Sequence, residues 1–127
     1  MYKMNEIHSL ETIRNLMQPF FKKGFVVEYM QQKGGDSSCV YIYRFKKGKN
    51  FFDWRETSGT NELHLIVCIN GEYKFPNIEK KYAKQSRAFK IKSVFKKPTF
   101  ENRRAFFAKL LCQCLQENEK DFFGIEL

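Results

Sequence analysis

Glu62-Leu63-His64-Leu65-Ile66-Val67-Cys68-Ile69-Asn70-Gly71-Glu72-Tyr73-Lys74-Phe75-Pro76 is the stretch whose reading decides the fold. Its first eight residues form the most apolar run of the chain, as expected of a strand central in a sheet. Asn70-Gly71 supplies positive φ at both central positions of a type I′ turn with least strain, so a tight antiparallel hairpin is predicted there. The return strand is predicted to be short, because Pro76 has no N–H to give to a ladder.

Upstream of this hairpin the same period of two recurs. Phe25 to Met30, Cys39 to Lys46 and Phe51 to Thr57 each alternate, and Lys33-Gly34-Gly35-Asp36-Ser37, Lys47-Gly48-Lys49-Asn50 and Ser58-Gly59-Thr60-Asn61 punctuate them as turns. Downstream, Ser86 to Lys96 alternates as well. With Phe89, Ile91 and Phe95 facing in and Lys90, Lys92 and Lys96 facing out, it is predicted to be a further strand.

Helical spacing brackets the strands. Leu10, Ile13, Leu16, Met17, Phe20 and Phe21 mark an N-terminal helix capped by Ser9, disturbed by Pro19 and stopped at Lys22-Lys23-Gly24. Asn77 is placed to cap a brief helix reaching Gln85. Thr99 is placed to cap a long final helix to about Glu119, with Phe100, Phe107, Leu110, Leu111, Cys114 and Leu115 on its buried side. The end, Phe122-Phe123-Gly124-Ile125-Glu126-Leu127, is too apolar to hang free. The predicted fold is α+β: one domain over residues 1–127, with a mostly antiparallel sheet of five or six strands flanked by an N-terminal and a long C-terminal helix in a two-layer sandwich. Its inward set is expected to include Leu10, Ile13, Leu16, Val27, Ile42, Leu65, Val67, Ile69, Phe89, Ile91, Phe107, Leu111 and Leu115.

Composition fits that scheme. Hydrophobic residues at 43% and aromatics at 17% of 127 residues are enough for one ring-rich core, which argues against disorder. No run approaches the length of a membrane span and no apolar leader opens the chain, so the expected setting is the cytoplasm, without a membrane. The four cysteines, Cys39, Cys68, Cys112 and Cys114, do not fall at zinc-ligand spacing, and neither His8 nor His64 completes a set. They read as small buried or half-buried thiols, and no metal or other cofactor is expected.

Charge is the distinctive feature. The stretch Glu79 to Lys109 holds eleven cations and two anions, an excess equal to the formal net charge of the whole chain, +9. Lys80, Lys81, Lys84, Arg87, Lys90, Lys92, Lys96, Lys97, Arg103 and Arg104 are therefore the candidate contacts to a polyanion. Trp54, between Asp53 and Arg55, is the candidate exposed ring for stacking on bases. The expected function is a small basic binding module, not an enzyme, that engages nucleic acid through residues 80–109. A protein-interaction or inhibitor domain docking on an acidic partner surface needs the same lysines and is the alternative.

A third reading concerns Asp53 and the triplet Glu72-Tyr73-Lys74. An acid followed on a later strand by Glu-x-Lys is similar to the motif of the PD-(D/E)xK nuclease superfamily, with Phe52 standing where the motif has proline. The resemblance implies a metal-dependent nuclease in which Asp53 and Glu72 hold a divalent ion and Lys74 orients the attacking water.

Overall fold

The computed structural model describes residues 2–33, 39–58 and 62–127, with side chains from Ser9 onward. The turns predicted at 34–37 and 59–61 lie outside the described residues. The element order is α1 (Tyr2–Leu16), α2 (Gln18–Lys22), β1 (Val26–Lys33), β2 (Cys39–Lys47), β3 (Asn50–Thr57), β4 (Glu62–Ile69), β5 (Glu72–Lys74), α3 (Ile78–Lys81), α4 (Ala83–Phe95), α5 (Phe100–Glu117), β6 (Asp121–Phe122) and β7 (Ile125–Glu126). Strands β1 to β5 make one antiparallel sheet in sequence order, so the fold is α+β as its hairpin signals require.

Several local signals act as the sequence implies. Asn70 and Gly71 have φ of 52° and 83°, the positive values of a type I′ turn. Pro19 sits in the first turn of α2, where its missing N–H is harmless, so the helix breaks at Met17 and restarts. Gly24 ends that segment at φ 93°. Asn77 and Thr99 cap their helices, Oδ1 accepting from Lys80 N at 3.0 Å and Oγ1 from Asn102 N at 3.1 Å. Ser9 is not a cap: α1 begins seven residues earlier, at Tyr2.

One layer of helices covers one face of the sheet. Directly opposed residues of neighbouring strands share a face. The registers therefore place Tyr43, Phe45, Phe52, Trp54, Leu65 and Val67 together, and all six are buried with Ile13, Phe20, Phe107 and Leu111. Phe45 and Phe52 stack at 4.9 Å, and Phe20 meets Phe52 at 5.1 Å. The apolar end docks here too: Phe122 and Ile125, on the β6–β7 hairpin, are buried, and Phe122 meets Phe20 edge-on at 5.0 Å. Ile42 is buried as well, but on the other face, beyond the main cluster.

The predicted strand from Ser86 to Lys96 is a correction, for this segment is the helix α4, and the main sheet has five strands. Ala83-Lys84-Gln85-Ser86-Arg87-Ala88 is rich in good helix formers, and Ile91 and Val94 are the only β-branched residues up to Phe95. The alternation at 89–92 is a period-two signal that the helix does not honour, since Phe89 and Ile91 fall on opposite sides of it. Asn77 starts the helical path, and what faces inward is Gln85, Ser86, Phe89 and Ser93 at helical spacing. Ile91, expected in the core, is 56% exposed.

Candidate interaction surface

Helix α4 rests on α5 by a modest inner side. Ser86 is buried and gives its hydroxyl to Glu79 O at 2.9 Å, Gln85 reaches Gln113 at 2.9 Å, and Phe89 stacks flat on Phe106 at 4.3 Å. The outer side is where the unusual residues lie. Ala88, Ile91, Val94 and Phe95 are three or four apart and share that side, with Val94 81% and Phe95 88% exposed. Helices of globular proteins turn their apolar stripe inward. This one turns Gln85, Ser86, Phe89 and Ser93 inward and Ile91, Val94 and Phe95 out.

Cations surround the outer row. Lys84 and Arg87 precede it on the same side, Lys90 and Lys92 lie about 100° to either flank of Ile91, and Lys96 and Lys97 follow the helix end. All six are exposed, as are Lys80 and Lys81 on α3, and none of these eight makes an ion pair among the described residues. Arg103 is half-buried in the cleft between α4 and α5, which it lines with Lys90, Phe89 and Phe106.

Two of the sequence candidates are elsewhere. Arg104 is buried, with Nε and Nη2 donating to the Glu56 carboxylate at 2.7 and 2.6 Å and Nη1 to Glu101 at 3.0 Å, while its guanidinium lies 4.4 Å from the centre of the Phe100 ring. Burial works against its charge, and the hydrogen bonds and field of Glu56 outweigh it, so its pKa stands above the ordinary arginine value. Arg104 is a core ion-pair residue, not a surface contact. Trp54 is also buried, edge-on to Phe107 at 4.8 Å, with its indole N–H given to Glu56 at 3.0 Å. Its polar neighbours Asp53 and Arg55 misdirect the reading, because in a strand they describe the opposite face.

The resemblance to the nuclease motif fails on geometry. Asp53 lies opposite Arg44 and Ile66 on the face away from the main core, whereas Glu72 and Lys74 lie opposite Ile69 and Val67 on the helix-covered face. The Asp53 carboxylate is already taken by Arg44 at 2.8 and 3.0 Å. Among the described residues no three of His, Cys, Asp and Glu converge as a metal site. Cys112 does not act as a ready nucleophile, since burial pushes its thiol up to about 11.

The residues missed by sequence reasoning are the outer row itself, Ile91, Val94 and Phe95: the strand assignment sent Ile91 and Phe95 inward and did not single out Val94. Recognition of the helix formers at 83–88 would have found them. Among the described residues no helix is long and apolar enough to cross a membrane. Comparisons with protein-family models, with curated proteins and with solved structures found no match to this chain.

Proposed function

We propose that this chain is a binding module that docks through α4 on an acidic surface of a protein partner. The observation that carries the reading is the exposed row Ile91, Val94 and Phe95 with lysines on both flanks. An apolar centre with a charged rim is the anatomy of a protein interface, and the sign of the rim asks for carboxylates opposite. Phosphate backbones reward the lysines but offer little to three solvent-exposed apolar side chains.

Nucleic acid is the second reading, favoured by the number of exposed cations on α3 and α4 without an ion pair. The two readings separate by what a photo-crosslinking residue at Val94 captures in cells that express the full chain. A protein adduct lost on Ile91→Asp supports docking. A nuclease-sensitive adduct that survives Ile91→Asp and is lost on reversal of Lys90 and Lys92 to Glu overturns it in favour of nucleic acid. In that case log affinity for oligonucleotides falls with log salt at a slope of roughly −3.5 to −4.5 for about five phosphates.

A further inference from the structure

The strand β4 has two lengths of partner on its two sides. It pairs with β3 from Cys68 to Glu62 but with β5 only at Val67, Cys68 and Ile69. The cause is in the sequence: β5 stops at Lys74, and Pro76 cannot donate to Leu65. Antiparallel pairing sends the N–H and C=O of every second residue toward the same neighbour. Ser58 N donates to Cys39 O at 2.8 Å, which fixes the even residues of β3 as facing β2 and hence the even residues of β4 as facing β3. The odd residues face the other way. Val67 and Ile69 meet β5 there, while Leu63 and Leu65 have no backbone partner on that side among the described residues.

A cavity of about 500 Å³ opens along this unpaired edge. Leu63, Leu65, Ile78 and Phe107 line it on the helix side of the sheet, and Arg55 and His64 on the other. Arg55 Nη2 donates to Gln32 at 3.2 Å, yet its buried Nε has no acceptor. Of the nearby anions, Glu62 is engaged by His64 at 3.2 Å, and Glu79 lies in the first turn of α3, where the helix dipole favours it. Leu63, Glu79 and Phe107 also line the cleft between α4 and α5, so the groove continues toward Lys90 and Arg103.

We propose that this edge accepts an extended acidic segment of a partner protein as an added strand beside Leu63 to Ile66. The occupant is set by the groove's chemistry. Two N–H and two C=O groups spaced about 6.8 Å apart are satisfied by another strand's backbone. Alternate side chains of that strand then fall on opposite faces: an apolar one against Leu63, Leu65 and Phe107, and a carboxylate beside His64, on the face that also carries the guanidinium of Arg55. The proposal stands on the strand edge and does not depend on the outer row of α4.

The test is selection of linear peptides from a random heptapeptide display library on the immobilised full chain, followed by synthesis of the recovered consensus. The expected consensus alternates apolar and acidic residues. On binding, the backbone amides of Leu63 and Leu65 should become protected from hydrogen exchange by tenfold or more. Methylation of the peptide's amides one at a time should abolish binding at every second position only. Arg55→Gln, which removes the cation from that face, should weaken the acidic peptide severalfold and leave its Gln analogue unchanged. Leu63→Pro removes one outward amide without touching the β3 ladder and should reduce affinity with the fold intact, as judged by amide exchange at Val67 and Ile69. Recovery of no peptide, binding without protection of Leu63 and Leu65, or a free chain in which a second copy already protects these amides would overturn the proposal. Ile91→Asp should not affect this binding, which separates the outcome from the docking role of α4.

Discussion

Glu56 on β3 and Arg104 on α5 are forty-eight residues apart in the chain and bind each other through two hydrogen bonds of 2.7 and 2.6 Å in the interior. The pair joins the sheet to the long helix at the point where Trp54 also donates to Glu56, so one carboxylate holds three elements of polar chemistry inside a ring-rich core. Both side chains are nearly inaccessible, 9% for Arg104 and 3% for Glu56.

Removal of Arg104 leaves the Glu56 carboxylate buried and uncompensated, and removal of Glu56 leaves Arg104 with only the exposed Glu101 as a counter-charge. Arg104→Met or Glu56→Leu alone should lower unfolding free energy by about 3–5 kcal/mol, and the double substitution should recover most of that loss. Urea denaturation of the three variants, with the coupling energy taken from the double-mutant cycle, measures it. Additive losses would mean that the two residues do not form a closed pair.

Leu111 and Ile91 make opposite expectations for the same chemical change. Leu111 is wholly buried, and Leu111→Ala should cost about 2–5 kcal/mol through lost burial and a residual cavity. Ile91 is 56% exposed, and Ile91→Ala should stay within about 0.5 kcal/mol of the parent. Midpoints of chemical denaturation compare them directly, and a large loss at Ile91 would place α4's outer side in the core.

The hairpin turn gives a backbone prediction. A methyl group at Gly71 would meet nothing within 4 Å, so Gly71→Ala tests the φ of +83° and not crowding. It should cost about 1–2 kcal/mol, the strain of a left-handed conformation for a residue with a Cβ. Gly71→Asn, which tolerates that region better, should cost less in the same thermal or urea unfolding assay.

Alkaline stability should report on Cys112. Burial raises its thiol to about 11 from an ordinary 9.0. Between those values the unfolded chain releases a proton that the native chain retains, so native stability falls as pH rises from 9 to 11. Cys112→Ala should flatten that part of the profile. Urea midpoints at pH 8, 9.5 and 10.5 for the parent and the variant read it, and identical slopes would show that this thiol does not contribute.

The sequence by itself determined the hairpin sheet, the capped helix starts at Asn77 and Thr99 and most of the inward set, while the helix expected to reach Gln85 ends at Lys81. These follow from local causes: positive φ at Asn70-Gly71, a missing N–H at Pro76 and Pro19, side-chain oxygens at Asn77 and Thr99, and two clear periods of hydrophobicity. Tertiary structure decided the identity of the segment from 83 to 95 and the fate of the polar residues in the strands. At helical spacing the apolar residues of this run share no face, Phe89 lying inward and Ile91 and Phe95 outward, so its hydrophobic pattern pointed to period two, and α4 is settled by helix-forming residues together with the seats that Phe89 finds on Phe106 of α5 and Ser86 on Glu79 of α3. Trp54 and Arg104 went inward, and Asp53 was separated from Glu72, for a related reason. Which face of a strand is covered depends on where distant helices pack, and a residue's immediate neighbours in a strand report on the other face.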